Sequence, residues 1–461
     1  MCAIAGAFNV PHASYVVQLM LKAMQHRGQE AAGIVSCNKD EFCEIRQKGL
    51  VDEVFGEVDC DSRLPGTSAV GHVRYSTAGD DGSSAGIQPL WARLRGRSVA
   101  VVHNGNRTDY RERRAELELQ GAIFQSRSDS ELFLHDLARA RVTDFDAAVL
   151  ASLQTAIGAW SILLLTAESL YAAVDPLGFR PLVMAEYGGG TVFASESCAF
   201  DLLGINQSEP VERGTVVKMT SGHGYQVKSL PAPNFSRHCS FEHVYFSRPD
   251  SNAFGDPSND IRERLGTCLA AHEQTPFDVV TSVPDSSNAI ALAFAEAVGA
   301  RFRHALIRNH YTGRTFITPR QTARELGVRM KLNAVRSLIE GKRVAVVDDS
   351  LVRGTTARKV AQLLRDAGAK EVHMRIGSPP VVHPCHWGID TPNRQELLAA
   401  KTDPSMLASA LGLDSLAYLN IDDLRKALQD EDATRYCTTC FTGDPPERQL
   451  IPPKSLIRNP P

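Results

Sequence analysis

The stretch Arg343-Val-Ala-Val-Val-Asp348-Asp349-Ser350-Leu-Val-Arg353-Gly354-Thr355-Thr356 runs from an apolar segment through two carboxylates into a loop of small residues. The segment Arg343–Val347 predicts a buried strand, and Thr355–Ala367 predicts a helix. The loop and the helix N-terminus favour a phosphate, because backbone N–H groups there lack intrahelical partners. The carboxylates can accept hydrogen bonds from sugar hydroxyls or help to hold Mg²⁺. The stretch is not a Walker A loop, and the plainer alternative is an acidic strand-to-helix turn.

Strands and helices alternate around this stretch. Asp278–Val283 predicts a strand, and Ser286–Val298 predicts the helix after it. Glu371–Ile376 predicts another strand beyond the helix at Thr355. This alternation indicates a parallel sheet built from β-α-β units. About sixty further residues look mostly helical and end in a tail rich in Cys and Pro.

The first half of the chain has a different pattern, with short apolar runs between turn residues. They predict mostly antiparallel strands at Cys2–Phe8, Ala69–Tyr75, Val99–His103, Ser161–Leu165, Leu170–Val174, Leu182–Ala185 and Thr215–Lys218. Amphipathic helices are predicted over Tyr15–Gln25 and from Ser128, where Ser-x-x-Glu131 has capping-box spacing. Strands between helices indicate an α+β layered domain. The turn-rich segment Ser229–Ser236 predicts the boundary between domains at 2–235 and 236–461.

Composition indicates an ordinary globular protein of two or possibly three domains. The chain has 461 residues, of which 43% are hydrophobic and 22% charged, and its formal net charge is −3. This balance gives no reason to expect nucleic acid or an anionic membrane as a partner. No apolar stretch is long enough to cross a bilayer, and the N-terminus lacks the basic region of a signal peptide. We therefore expect a cytosolic protein whose ten cysteines are mostly reduced.

Cys2 is a candidate nucleophile. If Met1 is removed, one residue carries both a thiol and a free α-amine, and the amine can act as a base near neutral pH. The alternative is a buried cysteine that happens to lie at position 2.

Several other residues lie at the ends of predicted elements. Arg74 offers a fork for a carboxylate, and Asp129 could hold an ammonium group. Asn104-Gly105 could direct a side-chain amide and a backbone N–H at one oxyanion. The plainer alternatives are a surface charge for Arg74, part of a helix cap for Asp129 and a hairpin turn for Asn104-Gly105.

The first half resembles the class II glutamine amidotransferase domain of the N-terminal nucleophile hydrolases. The motifs that carry the resemblance are the Cys2 start, His26–Gly33, Gly71–Gly79, His103–Asn106 and Ser128–Glu131. The resemblance implies an αββα fold in which Cys2 attacks the side-chain amide of glutamine and forms a thioester. It also implies that Asn104 and Gly105 form the oxyanion hole, that Arg74 and Asp129 bind the α-carboxylate and α-amine, and that Arg27 helps to close the site.

The second half resembles the α/β type I phosphoribosyltransferases. The resemblance implies that Asp348 and Asp349 contact the ribose hydroxyls of phosphoribosyl pyrophosphate (PRPP). Val283–Ser287 resembles the pyrophosphate and metal loop, which makes Ser286 a Mg²⁺ residue together with the two aspartates. Arg308–Leu332 is expected to close over the substrate, against the plainer alternative of a solvated basic loop. The PRPP-binding set is Asp348, Asp349, Ser350, Arg353, Gly354, Thr355, Thr356 and Lys331, with the 5′-phosphate at Gly354–Thr356.

The two halves together resemble the amidophosphoribosyltransferase family over nearly the full length. The implied reaction begins purine synthesis, with glutamine, PRPP and water giving 5-phosphoribosylamine, glutamate and pyrophosphate. Ammonia is expected to pass internally between the sites, purine nucleotides to inhibit, and the chain to form a dimer or tetramer. Two rivals stay open: a PRPP- or nucleotide-sensing regulator, and a hydrolase of another amide with a regulatory second half.

Four cysteines lie where the cluster-bearing branch of this family places its ligands: Cys239, Cys385, Cys437 and Cys440. The resemblance implies a structural [4Fe–4S] cluster. Sequence spacing alone also permits Zn²⁺ or a redox pair.

The sequence departs from the family pattern at a few positions. Ala3 stands for a common Gly, Arg107 for an apolar residue, Ser130 for Thr and His310 for Arg. We expect the first two to bear on glutamine affinity and the last on loop closure or feedback. Only Met1 precedes Cys2, so we expect methionine removal to be sufficient for maturation.

Overall fold

The chain folds into two compact units. The computed structural model describes residues 1–75, 84–309, 332–389, 391, 393–402 and 404–443. Unit 1 comprises Met1–Cys239, Asp250–Asp256 and Cys385–Asp390, and unit 2 comprises the other segments. The main division therefore falls after Cys239, a few residues beyond the predicted boundary at 235. Two short segments from the predicted second domain also belong to unit 1.

Two antiparallel sheets form the centre of unit 1. Its strands are β1 Ala3–Phe8, β2 Ala31–Asn38, β3 Glu41–Lys48, β4 Ser68–Arg74, β5 Leu90–Leu94, β6 Arg97–Arg107, β7 Gly158–Leu165, β8 Ser169–Val174, β9 Val183–Tyr187, β10 Gly190–Ala194, β11 Glu209–Pro210, β12 Thr215–Thr220 and β13 His223–Ser229. One sheet has the order β11-β9-β10-β1-β4-β2-β3, and the other has the order β13-β12-β8-β7-β6-β5. The two-residue strands β14 His238–Cys239, β15 Asn252–Ala253 and β16 Asp256–Pro257 follow.

Helices cover the outer faces of these sheets. They are α1 Ala13–Ala23, α2 Val51–Phe55, α3 Cys60–Arg63, α4 Tyr110–Leu119, α5 Glu131–Arg139, α6 Phe145–Gln154 and α7 Cys198–Asp201, with 3₁₀ turns at Gln25–Arg27 and Ser84–Gly86. Helix α1 buries Val17, Met20 and Leu21 against the first sheet. Helices α5 and α6 bury Phe133 and Val149 against the second sheet. A third apolar layer lies between the sheets, which completes the αββα order expected from the sequence.

Unit 2 is built on a parallel sheet. The strands of this unit are β17 Val279–Ser282, β18 Leu306–Arg308, β19 Leu332–Ala334, β20 Arg343–Asp348, β21 Glu371–Ile376, β22 Ser415–Tyr418 and β23 Tyr436–Cys437. Its helices are α8 Ser258–Ala270, α9 Asn288–Ala297, α10 Arg336–Ile339, α11 Thr355–Asp366, α12 Leu398–Lys401, α13 Pro404–Leu411, α14 Ile421–Ala427 and α15 Thr439–Thr442, with a π turn at Glu242–Phe246 and a 3₁₀ turn at Arg394–Glu396. The sheet order is β17-β20-β21-β22, and all three pairings are parallel.

Two local expectations were wrong. Helix α5 begins at Glu131 and not at Ser128, and the Glu131 carboxylate accepts hydrogen bonds from the backbone N–H groups of Gln125 and Ser126. Glu131 therefore holds the loop that precedes the helix, and Ser128 and Glu131 do not form a capping box. The hairpin alternative for Asn104-Gly105 is also wrong, because β6 continues through both residues and pairs with β7 as far as Arg107.

Within the described ranges, no helix is long and apolar enough to cross a membrane.

Candidate active sites

Cys2 is buried and directly precedes β1. The residue is only 9% exposed, and its Sγ lies 3.8 Å from the carbonyl oxygen of Tyr75. Arg27 donates from Nε to the Cys2 carbonyl oxygen at 3.0 Å. Arg27 therefore holds the backbone that carries the thiol, and its role in closing the site stays a prediction.

Glu196 holds Arg27 in turn, and sequence reasoning missed it. Its Oε1 accepts from Arg27 Nη1 at 2.6 Å, and both side chains are fully buried. Ser251 Oγ donates to Oε2 of Glu196 at 2.7 Å, and His26 Nε2 lies 2.9 Å from Oε1. Burial of a guanidinium without an opposite charge is costly, and Glu196 supplies that charge to Arg27. Glu196 follows β10, which was not predicted from the sequence, and it belongs to no motif, so no local signal identifies it.

Arg74 ends β4 beside the 3₁₀ turn at Gln25–Arg27 and the Gly28 that follows it. Gly28 packs against its backbone so closely that a Cβ there would lie 2.6 Å from the Arg74 carbonyl carbon. The Arg74 guanidinium lies beside Gly86 and Ser128, since a Cβ on Gly86 would lie 3.7 Å from Nη1 and 3.8 Å from Ser128 Cβ. Arg74, the residue predicted to bind the α-carboxylate of glutamine, therefore lies near the segment that carries Asp129.

Asn104 presents an unsatisfied amide in the interior. The residue is 1% exposed, and neither Nδ2 nor Oδ1 has a hydrogen-bond partner among the described residues. Side chains alternate along a strand, so Asn104 faces the same layer between the sheets as Val102, which packs there with Ile4. Cys2 directly precedes β1, whose Ile4 lies in that layer. An orphaned buried amide is costly unless a ligand uses it.

Gly105 is confined on its β7 side. Its φ is +153°, and a Cβ there would lie 2.0 Å from the carbonyl oxygen of Ala159. The position therefore accepts only glycine. Because residue 105 is glycine, the strand can continue directly after Asn104 with this backbone conformation. The two expected oxyanion donors are adjacent in one rigid strand.

Asp129 is brought against that same strand. Its Oδ2 accepts from the backbone N–H of Arg107 at 2.8 Å, while 21% of the side chain stays exposed. Ser130 Oγ lies 3.0 Å from His103 Nδ1, and Gln88 donates to Ser130 Oγ at 3.0 Å. These contacts fix Asp129 beside Asn104 and Gly105, with a carboxylate still open to an ammonium group.

His72 is a second residue that sequence reasoning passed over. It pairs across the strands with Ile4 and is 1% exposed. Burial, with the nearby Arg74 charge, lowers the pKa of His72 to about 3, so the imidazole is neutral. Burial likewise lowers the pKa of His103. Neither histidine contributes a positive charge near Cys2 at neutral pH.

Arg107, one of the departures from the family pattern, is neutralised within unit 1. Its guanidinium donates to Asp136 at 2.6 Å and to both carboxylate oxygens of Asp109 at 2.6 and 3.0 Å. Its side chain is fully buried against the Phe133 ring. Ala3, another departure, is buried opposite Val73. The effect of Arg107 and Ala3 on glutamine affinity stays a prediction.

In unit 2, two aspartates occupy the carboxyl end of β20. Asp348 and Asp349 are 8% and 4% exposed. Ser286 and Ser350 donate hydroxyl hydrogen bonds to Asp349, the second at 2.6 Å. Burial raises the pKa of both carboxyls, and the Asp349 charge raises that of Asp348 further. A hydrogen-bond donor or a cation delivered by a ligand would offset this cost.

The loop after β20 leads directly into helix α11. Gly354 has a φ of +73° and precedes the helix, and a Cβ there would lie 2.6 Å from Leu398. Thr355 and Thr356 are exposed in the first turn, where backbone N–H groups can receive a phosphate. Arg353 is exposed and lies 3.4 Å from the Glu396 carboxylate, so a phosphate would compete with Glu396 for it.

The loop after β17 emerges beside the loop after β20. Ser282 pairs with Val347 in parallel register, and Val283 N donates to the Val347 carbonyl oxygen at 2.9 Å. Ser286 therefore lies at the same sheet edge as Asp349, and ligands of such sheets bind at this edge. Lys331 and His310 lie outside the described residues.

The four candidate cluster cysteines divide between the units. Cys239 and Cys385 belong to unit 1, whereas Cys437 and Cys440 belong to unit 2. None of the four forms a disulfide, and Cys385 Sγ accepts from the backbone N–H of Trp387 at 3.3 Å. Over the described part of the chain, no three His, Cys, Asp or Glu side chains are grouped to hold a metal ion.

Unit 1 thus has the layers expected of a class II glutamine amidotransferase, and unit 2 has the carboxylate-to-helix loop expected of a phosphoribosyltransferase. Comparisons with known proteins agree with both assignments. A family model described as a glutamine amidotransferase domain matches residues 72–201. The chloroplastic amidophosphoribosyltransferase of Vigna aconitifolia is 45% identical over 446 residues, which cover 96% of this chain and 91% of that protein. The amidophosphoribosyltransferase of Bacillus subtilis is 41% identical over 452 residues, with coverages of 96% and 94%.

A solved structure of the glutamine PRPP amidotransferase of B. subtilis, complexed with ADP and GMP, superposes with a TM-score of 0.91 at 40% identity and covers 96% of this chain and 97% of that one. The chain belongs to the amidophosphoribosyltransferase family. The expected fold class, an N-terminal nucleophile hydrolase domain fused to a type I phosphoribosyltransferase domain, is confirmed.

Proposed function

We propose that this enzyme converts glutamine, PRPP and water into 5-phosphoribosylamine, glutamate and pyrophosphate. The observation that carries the proposal is the Asn104 amide, which is buried without a hydrogen-bond partner among the described residues and directly precedes Gly105. A sensor of PRPP or nucleotides has no use for such an amide, because burying it unsatisfied costs free energy. Full-length similarity to named amidophosphoribosyltransferases supports the same reaction.

The glutamine half-reaction is derived from the residues of unit 1. Arg74 binds the α-carboxylate of glutamine, and Asp129 binds its ammonium group. The Cys2 thiolate attacks the side-chain carbonyl carbon, and the charge that develops on oxygen is stabilised by Asn104 Nδ2 and Gly105 N–H. The C–N bond then breaks, the nitrogen leaves as ammonia after taking up a proton, and a thioester remains. Water hydrolyses the thioester to glutamate and restores the thiol.

The base for this thiol is the α-amine of Cys2 itself, once Met1 has been removed. An α-amine with an ordinary pKa of about 8 can take the thiol proton and pass it to the departing nitrogen. His72 and His103 do not replace it, because burial disfavours their protonated forms.

The second half-reaction takes place at the carboxyl edge of the unit 2 sheet. Asp348 and Asp349 accept hydrogen bonds from the ribose hydroxyls, and the first turn of α11 receives the 5′-phosphate. Ammonia bonds to the anomeric carbon as the C–O bond to pyrophosphate breaks, and the product amine loses a proton. Development of positive charge on the ribose is favoured by the neighbouring carboxylates.

Mg²⁺ fits this site, since oxygen donors suit it and one or two protein carboxylates with substrate phosphates form its usual ligand set. Asp348 and Asp349, with Ser286 nearby, would hold it. When bound, the ion neutralises charge on the departing pyrophosphate.

Four thiols outside disulfides are a suitable donor set for a [4Fe–4S] cluster, and we propose that Cys239, Cys385, Cys437 and Cys440 hold one. One of these sulfur atoms, Cys385 Sγ, accepts a hydrogen bond from a backbone N–H. Protein purified without oxygen should contain four irons and broad visible absorbance. Stoichiometric zinc without iron would contradict the cluster.

Regulation and assembly extend the proposal. The solved structure of one relative holds ADP and GMP, and another solved structure is described as the allosteric regulatory enzyme of purine biosynthesis. We therefore propose that purine nucleotides inhibit this enzyme. We also propose a homodimer or homotetramer and a cytosolic location.

We propose as well that ammonia passes internally between the two sites without release into the solvent. This transfer predicts that ¹⁵N from glutamine enters the product undiluted by unlabelled ammonium in the buffer.

The test of the proposed function is the variant Cys2→Ala. It should lose glutamine-dependent formation of phosphoribosylamine and keep the formation driven by added ammonium salt, because only the thiol is removed. Cys43→Ala, which changes a partly buried thiol on β3, is the matched control and should behave as the parent. Loss of both activities in Cys2→Ala would mean that Cys2 is structural.

A further inference from the structure

A short segment far along the chain lies directly against β6, the strand that carries Asn104 and Gly105 and is called the oxyanion strand below. Cys385–Asp390 belongs to unit 1, although the residues on either side of it, Pro384 and Thr391, belong to unit 2. The other segments of unit 1 end at Asp256. The chain therefore returns to unit 1 for a few residues only, and the contacts of those residues indicate what the return provides.

Gly388 packs on the peptide between Gly105 and Asn106. A Cβ at Gly388 would lie 2.9 Å from the Gly105 carbonyl carbon, 3.0 Å from its oxygen and 3.3 Å from Asn106 N. All three are backbone atoms, so no side chain could move aside. With Ala159 pressing on Gly105 from β7, this peptide is confined from two directions.

The segment is itself anchored at several points. Asn106 Nδ2 donates to the His386 carbonyl oxygen at 2.8 Å. The Trp387 ring stacks on Phe179 with centroids 4.4 Å apart and planes 16° apart. Arg180 donates to the Trp387 carbonyl oxygen. A segment held this firmly can fix the position of what it touches.

We propose that Gly388 and its anchored neighbours position the oxyanion strand for the glutaminase step. Gly388 contacts no reacting atom, so it is a positioning residue and acts through the Gly105 peptide. This inference rests on the proposed function, since it concerns the same site. Its consequence is that the second half of the chain supplies part of the geometry of the first half-reaction.

The test compares Gly388→Ala with Gly412→Ala in the full-length enzyme. Both glycines have positive φ, +101° and +76°, but a Cβ at Gly412 would meet nothing within 4 Å. The control therefore reproduces the backbone strain without the collision. A displacement of about 1 Å in a catalytic group can cost on the order of a hundredfold in rate. We expect kcat for glutamine hydrolysis to fall at least tenfold in Gly388→Ala, with KM for glutamine nearly unchanged.

Ammonia-dependent formation of phosphoribosylamine should remain at the parent level in both variants. Asn106→Ala, which removes the hydrogen bond to His386, should lower the glutaminase kcat by a smaller factor. The inference is overturned if Gly388→Ala keeps the parent glutaminase kcat, or if it loses the glutamine- and ammonia-dependent activities together, which would indicate a folding role only. Failure of the proposed function itself would be recognised separately, because the parent enzyme would then release no pyrophosphate.

Discussion

The variant Asn104→Leu tests the oxyanion assignment, because it should separate stability from activity. Leucine has the same branching as asparagine but no polar atoms. The amide of Asn104 is buried without a partner among the described residues, and such a group costs about 1–3 kcal/mol. Replacement should therefore raise the free energy of unfolding of unit 1 by a similar amount, whereas most buried substitutions lower it.

The same change should greatly reduce glutamine hydrolysis. Loss of one oxyanion donor lowers kcat by about 10²–10³, equivalent to about 2.7–4 kcal/mol of transition-state stabilisation. Ammonia-dependent pyrophosphate release should be unaffected, since the phosphoribosyl site is in unit 2. Glutamate release at saturating PRPP measures the first effect, and pyrophosphate release with ammonium measures the second.

Stability can be followed in unit 1 alone. The chain has three tryptophans, Trp91, Trp160 and Trp387, and all belong to unit 1, so denaturation monitored by their fluorescence reports on this unit. Ser36→Ala is the matched control, because Ser36 Oγ is also buried without a partner among the described residues and lies on β2. The control should keep full activity. An Asn104→Leu enzyme that is less stable and still hydrolyses glutamine within a few-fold of the parent would refute the assignment.

Three further predictions concern buried ionisable groups. Glu196→Gln removes the negative charge opposite the fully buried Arg27, so unit 1 should lose about 3–5 kcal/mol of unfolding free energy and glutaminase kcat should fall; an unchanged denaturation midpoint would show that the pair is dispensable. Asp348→Asn combined with Asp349→Asn should abolish pyrophosphate release, and unchanged pyrophosphate release would exclude these carboxylates from the site. His72 has a folded pKa of about 3, below its unfolded value of about 6.5, so its stabilisation is complete above pH 6.5 and is lost by up to about 1.4 kcal/mol per pH unit as the pH falls toward 3; His72→Leu should flatten that part of the stability profile, and an identical slope would contradict it.

Local sequence patterns predicted the fold where they repeat over several residues. The apolar run Arg343–Val347 and the alternation around it gave β20, α11 and β21 to within a residue or so. The capping-box expectation at Ser128 was wrong because the Glu131 carboxylate bonds to a loop upstream, at Gln125 and Ser126. Spacing alone does not distinguish those two partners.

The site was predictable only in part, for a related reason. Residues inside motifs, such as Asn104 and Gly105, could be proposed from the sequence because their chemistry is carried by adjacent positions. Glu196 and Gly388 were missed because each acts on a residue far away in sequence: Glu196 on Arg27, and Gly388 on Gly105. Contacts between distant segments depend on the tertiary fold, and a single sequence contains no local signal for them.

The most direct measurement is the stoichiometry of the products. Anaerobically purified enzyme with glutamine and Mg²⁺ would be assayed for glutamate and pyrophosphate, with and without PRPP. The account predicts equal amounts of the two products, both dependent on PRPP. Glutamate without pyrophosphate would instead indicate a free-standing amide hydrolase and would contradict the proposed function.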